Sequence, residues 1–370
     1  MNYSIFDKVK KEHKNIAILL ISLQSTEYLT NVFKNRKLFI FNSNLSYESL
    51  KNQIQSNSIQ FIISESYFIS ILNILQWECE LFNEYLIIDN ENPHQIIETK
   101  KNKLMNSKLW NYTAINAQDE LESGGWINSY NREKFSIKEM EEFSEDVLMK
   151  ISPYLSSTKK VLEIGCSSGL TMFKVAPLVG EYHAIDLSNV MVDRNRKIAA
   201  EIKMDSIKLY NLSADQLYNM KEHNFDLVIM NSVIQCFTGY NYLRKVINDC
   251  IELMVDKGVI FIGDVMDLRL KDELNESIHK YKYLHPEAKS KLDNSAEIYY
   301  DKNFFNDLKF EMPEIEGVEC APKWHTIENE LTKYRYDVLL FIDKKAKKKK
   351  ELLKIKRQYG ILLDNTKMIN

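Results

Sequence analysis

Val161-Leu162-Glu163-Ile164-Gly165-Cys166-Ser167-Ser168-Gly169 is a strand-length apolar run that ends in small residues and opens onto a helix-forming stretch near Leu170. Small residues at such a place let backbone N–H groups and a helix N-terminus come close to an anionic or nucleoside-bearing ligand. A second apolar run, Tyr182 to Ile185, ends at Asp186, 21 residues beyond Gly165. A doubly wound fold places a carboxylate there that accepts hydrogen bonds from two ribose hydroxyls. The dinucleotide fingerprint G-x-G-x-x-G would need glycine at 167 and 170, where Ser167 and Leu170 stand, so a nicotinamide enzyme is disfavoured. The two features together point to a nucleoside-bearing cofactor.

Such a site needs a sheet behind it. Strand-length apolar runs recur at Val161 to Ile164, Tyr182 to Ile185, Ile207 to Leu209, Leu227 to Met230 and Val259 to Ile262, separated by helix-length segments. That pattern predicts an α/β fold with a doubly wound sheet, completed by a late β-rich pair around Val318 and at Tyr336 to Ile342. Ser136 with Glu139 three residues on forms a capping box that opens a helix through Met140, Phe143, Val147 and Leu148, closed by Pro153. Before it lies an aromatic segment, Leu109 to Tyr130, expected to form a lid with Tyr112, Trp126 and Tyr130 facing the site. Farther upstream, Ile16 to Leu23, Leu38 to Phe41, Ile59 to Ile63 and Tyr85 to Ile88 alternate with helical stretches, one of them opening at Ser46, and predict a small parallel α/β unit. No glycine occurs before Gly124, so this unit offers no phosphate loop. Asp89 to Lys103, polar and containing Pro93, is expected to be a linker. The predicted organisation is a small α/β domain over 1–100, linker and helical lid over 101–155, the cofactor domain over 156–343 and a lysine-rich tail over 344–370.

At 370 residues and 45% hydrophobic content the chain can bury a sizeable core, and its formal net charge of -3 argues against a protein that coats nucleic acid. Cys79, Cys166, Cys236, Cys250 and Cys320 stand at no metal-ligand spacing and are expected to be free thiols of a reducing compartment. No metal set is visible. Ile16 to Leu23 follows Asp7 and Glu12 without a small-residue cleavage site and is better explained by a buried strand than by a signal sequence. No run approaches the roughly 20 apolar residues of a spanning helix. The expectation is a cytoplasmic protein with no membrane and no nucleic-acid partner.

Glu163-x-Gly165-x-Ser167-x-Gly169 resembles motif I of class I S-adenosylmethionine-dependent methyltransferases, with Ser167 in place of the middle glycine and Asp186 at the motif II acid. A Rossmann-like, mostly parallel seven-stranded sheet with an antiparallel last strand is what this family implies. It also implies S-adenosylmethionine as cofactor and S-adenosylhomocysteine as product. Glu163, Gly165, Cys166 and Gly169 would hold the methionine part, Asp186 the ribose, and Leu187 and Ala214 the adenine, with Asn231 and Tyr130 completing the cofactor site. Ser213 occupies the place where the family often has an adenine-contacting Asp, and Asp215 comes two residues late.

Three further stretches sharpen the resemblance: Phe225 to Phe237, Gly258 to Val265, and His325-Thr326-Ile327-Glu328-Asn329-Glu330-Leu331 leading into Tyr334 to Leu339. With Trp110, Gly124-Gly125-Trp126 and Tyr130, they resemble the methyltransferase domains embedded in nonribosomal peptide synthetases. Asn15 to Glu65 more weakly resembles the piece of an adenylation domain just before such an insertion, without its phosphate loop or catalytic lysine motif. The resemblance implies a free-standing relative of the inserted domain that methylates an amino-acid-like or carrier-bound peptidyl substrate, at oxygen, and whose partners are a carrier protein and a peptide synthetase. Backbone or amino N-methylation is the alternative, and a catalytically silent cofactor-binding scaffold a third.

Methyl transfer needs an aligned acceptor, exclusion of water and removal of a proton. His325 is expected to act as general base, oriented by Glu330 or Glu328, with Gln235 and Asp264 positioning the acceptor. Asn231-Ser232-Val233-Ile234 stands where an amino-methylating nucleic-acid enzyme would carry Asn-Pro-Pro-Tyr. The lysines from Lys344 onward are expected to meet an acidic partner such as a carrier protein.

Overall fold

A computed structural model of the chain describes residues 15–19, 23–34, 36–41, 46–64, 68–82, 84–89, 92–97 and 102–345. The lysine-rich tail from 346 lies outside them. The described residues divide into two compact units, one built on the N-terminal elements and residues 238–242, the other on residues 102–237 and 243–345.

In the first unit β1 (Asn15–Leu19), α1 (Leu23–Val32), β2 (Lys37–Phe41), α2 (Tyr47–Ser56), β3 (Phe61–Ser64), α3 (Ile69–Glu78), β4 (Glu84–Asp89) and β5 (Asn92–Ile97) follow in sequence. Five strands pair in the order β2-β1-β3-β4-β5, the first four parallel and β5 antiparallel to β4. Period-two alternation explains why the runs are apolar throughout: Ile16, Ile18, Phe61 and Ile63 bury on one face with Leu29 and Phe33, and Ala17 and Ile62 bury on the other with Leu50, Ile54, Leu72 and Leu75. Ser46 caps α2 by accepting from Ser49 N.

Two sequence expectations change here. The apolar run Ile16 to Leu23 is not one strand, because Leu23 already opens α1. Asp89 to Lys103 is not all linker, since β5 pairs with β4 and sets Pro93 opposite Ile88. Proline lacks an N–H and is admitted to a sheet at its edge, which is where β5 lies.

The second unit opens with α4 (Ser107–Asn116), the single turn α5 (Glu120–Ser123) and α6 (Ile137–Ile151). The capping box is formed: Ser136 accepts from Glu139 N while the Glu139 carboxylate accepts from Ser136 N. Met140, Phe143, Val147 and Ile151 bury along one stripe of α6. Next come β6 (Lys160–Ile164), the short α7 (Met172–Val175), β7 (Glu181–Asp186), α8 (Asn189–Glu201), β8 (Ile207–Asn211), β9 (Phe225–Asn231), α9 (Tyr240–Leu253) and β10 (Met254–Met266). The chain then runs through α10 (Lys271–Leu284), α11 (Lys302–Glu311), β11 (Ile315–Pro322), α12 (Glu330–Lys333) and β12 (Arg335–Asp343).

Seven strands pair in the order β11-β12-β10-β9-β6-β7-β8, with β12 antiparallel to both neighbours and the others parallel. The order in which strands are added reverses between the parallel β6 and β9, so the crevice beyond their carboxyl ends is where this fold holds a ligand. Behind it Val161, Tyr182, Leu227, Val259 and Phe261 form a continuous core with Val147 and Ile151 of α6.

Candidate functional site

The turn after β6 carries three left-handed backbone positions, Gly165 (φ 77°), Ser167 (φ 47°) and Gly169 (φ 85°). Glycine is required at two of them for space as well as for φ. A Cβ on Gly165 would lie 2.6 Å from Val233 Cγ2 and one on Gly169 2.5 Å from Phe173. Ser167 takes the middle position at the strain of a non-glycine residue in that region. Its carbonyl accepts from Asn195 Nδ2 of α8 at 2.8 Å and its N–H donates to Asp186 Oδ2 at 2.8 Å.

Asp186 is thus a hub. Its Oδ1 accepts from Ser188 N at 2.7 Å, so both carboxylate oxygens are held by backbone N–H groups. Burial pushes the carboxyl up, against the N–H groups of Ser188, Ser167 and Leu187 that hold it back. Beneath the turn, burial pushes Glu163 up to about 8, helped by the Asp186 charge and opposed by the Tyr182 hydroxyl, which donates to Glu163 at 2.9 Å. These residues fit a nucleoside cofactor: a carboxylate held by backbone N–H groups stands beside a turn that only small residues can line.

The segment ahead of α6 runs along the same end of the sheet. Ser188 Oγ donates to Asn111 Oδ1 at 2.7 Å, and a Cβ on Gly124 would lie 3.1 Å from Ser168 Oγ. The aromatics of this segment do not all turn inward as expected. Tyr112 is 67% exposed, and Trp126 packs edge-on against Phe143, with ring centroids 4.8 Å apart, in a small core with Phe135, Met140 and Leu331. Tyr130 is half-buried, its hydroxyl 2.9 Å from Ser277 Oγ of α10. Cys166 is buried beside Asn195, and Leu187 is half-buried. Ser213 Oγ donates to Asp215 Oδ1 at 2.6 Å while Ala214 is buried behind them, so the late carboxylate folds back onto the residue that replaces the expected acid.

Across from the glycine turn, the ends of β9 and β10 gather the remaining groups. Asn231 Nδ2 donates to Thr171 Oγ1 at 3.1 Å, and Gln235 Nε2 donates to Ser232 O at 2.9 Å. Asp264 sits at an irregularity in the β10–β12 ladder, with φ 61° and no solvent exposure, and its N–H donates to Asp337 Oδ1 at 2.7 Å. Such a bulge re-aims a side chain at a strand end. Arg335 pairs with Asp264 at 2.5 Å, and although burial alone would lower its proton affinity, Asp264, Glu330 and Glu297 together raise it.

Not all the expected catalytic residues meet. Asp264 and Glu330 fall around Arg335, while Gln235 bonds to Ser232 and, through its carbonyl, to Ile298 N; no hydrogen bond or ion pair joins His325 to Glu330 or Glu328. Glu330 Oε1 instead accepts from Ser129 N at 2.6 Å, and Glu328 is exposed. His325 Nδ1 lies 3.2 Å from Lys323 O. A carbonyl only accepts, so Nδ1 is the donor in that contact, and in the neutral imidazole it is Nε2 that carries the lone pair. Arg335 and Glu297 were invisible to sequence reasoning because nothing local distinguishes them from surface charge. Asn195 and Asn211 escaped it too, since their signal is a long-range bond: Asn211 Nδ2 donates to Asp186 O at 2.9 Å.

Among the described residues no group of three or more His, Cys, Asp or Glu could hold a metal ion, and no helix is long and apolar enough to cross a membrane.

The methyltransferase domain family matches residues 162–260. The chain is 31% identical over 219 residues to CymA, a probable nonribosomal peptide synthetase of Salinispora arenicola, covering 58% of this chain and 3% of that protein. It is 31% identical over 225 residues to the chondramide synthase cmdD of Chondromyces crocatus, covering 58% of this chain and 6% of that protein. The chain therefore spans a small part of the length of these relatives. Among solved structures, the N-methyltransferase NodS of Bradyrhizobium japonicum with S-adenosyl-L-homocysteine is 13% identical, over 64% of this chain and 96% of that one, with a TM-score of 0.42. That likeness is too distant to carry a functional argument. The family match covers the strands and turns that build the glycine turn, the Asp186 hub and the end of β9, so this part of the chain matches a methyltransferase domain and is similar to stretches of nonribosomal peptide synthetases.

Proposed function

We propose that the protein transfers the methyl group of S-adenosylmethionine to an oxygen of an amino-acid-like or carrier-bound substrate in nonribosomal peptide biosynthesis. What supports this reading is the Asp186 hub at the end of β7, together with buried acceptor atoms on Gln235, after β9, and Asp264, in β10, that have no hydrogen-bond partner. When bound, the cofactor supplies a sulfonium methyl carbon that an acceptor lone pair displaces in line, leaving S-adenosylhomocysteine.

The protein's part is binding, orientation and proton removal. Asp186 is suited to the two ribose hydroxyls, Leu187 and Ala214 to the adenine, and the turn from Gly165 to Gly169 to the methionine portion, with Glu163 beneath it. Gln235 and Asp264 accept hydrogen bonds from the substrate and fix its approach. His325 Nε2 takes the hydroxyl proton as the new bond forms, in the tautomer that Lys323 O sets. Amine methylation would use the same acceptors, and fragmentation of the methylated product by mass spectrometry separates the two.

Calorimetric titration with S-adenosylmethionine tests the cofactor assignment. The parent binds, and Asp186→Ala binds at least tenfold more weakly while keeping its melting transition. A correctly folded parent that does not bind would leave a silent scaffold as the better reading.

A further inference from the structure

We propose that Asn195, in the interior of α8, is a positioning residue for the cofactor: it locks Ser167 into the left-handed conformation of the glycine turn, and through Ser167 it aims the Asp186 carboxylate. This rests on the cofactor reading above and adds to it a residue that lies inside a helix, away from the turn in sequence.

Ser167 stands at φ 47°, where Cβ crowds its own backbone. Gly165 and Gly169 take positive φ on either side of it without that penalty. Both main-chain polar groups of Ser167 are tied in compensation. Its N–H donates to Asp186 Oδ2 at 2.8 Å, and its carbonyl accepts from Asn195 Nδ2 at 2.8 Å. A residue held at both ends in this way cannot relax to a negative φ without breaking one bond or the other.

Asn195 is poorly suited to its own position. Asparagine is among the weaker helix formers, and this one is fully buried within α8, on a face shared with Met191, Val192 and Ala199. Its Oδ1 is buried without a hydrogen-bond partner among the described residues. Turning the amide over would set Oδ1 against the Ser167 carbonyl, an acceptor facing an acceptor. The bonds that its nitrogen makes, to Ser167 O and at 3.8 Å to Cys166 Sγ, are what offset a desolvated amide there. Both go to the glycine turn. A residue that breaks the preferences of its own element in favour of a distant turn is the mark of a functional constraint.

The same helix reaches Asp186 by two routes. Ser188, its N-cap, donates its N–H to Asp186 Oδ1 at 2.7 Å. About two turns further along that face, Asn195 holds Ser167, whose N–H fixes Asp186 Oδ2. One carboxylate oxygen is therefore set by α8 directly and the other through Ser167. Loss of Asn195 frees only the second.

The test is a double-mutant cycle on the full-length protein, with S-adenosylhomocysteine affinity measured by calorimetry in the parent, Asn195→Ala, Ser167→Gly and the double variant. Asn195→Ala alone weakens binding about tenfold, the scale on which one unmade buried hydrogen bond acts. In the Ser167→Gly background, where the left-handed conformation no longer has to be enforced, the same change weakens it less than about threefold. Equal losses in the two backgrounds would make Asn195 an ordinary packing residue of α8 and overturn the proposal, as would an unchanged affinity in Asn195→Ala. If Asn195→Ala does not fold, a double variant that folds and binds supports the proposal, and one that also fails to fold overturns it. Parent protein that binds no S-adenosylhomocysteine is a different result: it removes the cofactor reading, and this inference with it.

Discussion

Glu163 shows how one residue carries both a stability and a ligand consequence. Its carboxyl is pushed up to about 8 by burial, so the folded protein holds a proton there that the unfolded chain releases in the ordinary glutamate range. Between those values the folded state binds more protons, and stability falls as pH rises to about 8, by up to about 1.4 kcal/mol per pH unit. Glu163→Gln should flatten that slope, since an amide oxygen still accepts from Tyr182, and melting temperatures of both proteins from pH 5 to 8 check it. At His325 the expectation concerns rate. His325→Ala should lower kcat by roughly 100-fold with S-adenosylmethionine affinity unchanged, within the range general bases contribute. An unchanged kcat would take the base role away from it. Both residues were legible in the sequence as chemistry-bearing, but the partner of His325 was not. A carboxylate a few residues along the chain is a natural guess, and the loop geometry gives the imidazole a backbone carbonyl instead.

Among the elements, β10 and the loop after β11 decide where the acid groups point. The irregularity near Asp264 is held open from behind by Asp337, whose carboxylate accepts from Asp264 N and lies between Lys150 and Lys323. Lys323 is buried, and Asp337 and Asp146 outweigh the cost that burial sets on its charge. Replacing it by Met would leave two buried carboxylates with one cation. Lys323→Met should therefore destabilise the protein by roughly 3–5 kcal/mol, read as a lower urea midpoint, where a surface lysine change would cost under about 1 kcal/mol. The strands themselves and the capped start of α6 were readable in advance, because period-two alternation and a Ser-x-x-Glu box are local signals. The bulge was not, since no residue type announces it.

For the molecule as a whole, the first 101 residues, which supply all five strands of the N-terminal sheet, contain no glycine, the residue that phosphate-cradling turns use. The protein should show no amino-acid-dependent ATP–pyrophosphate exchange, and exchange above background would contradict this. What the sequence alone determined was the position of the glycine turn and its acid: Glu163, the small-residue turn and Asp186 lie on consecutive strand ends, where local pattern and a fixed offset place them in any doubly wound sheet. What only the tertiary structure decided was the cluster of charges around Arg335. Asp264, Glu297, Glu330 and Arg335 come from separate parts of the chain, and burial and charge balance are properties of their assembly that no one of them carries along the chain.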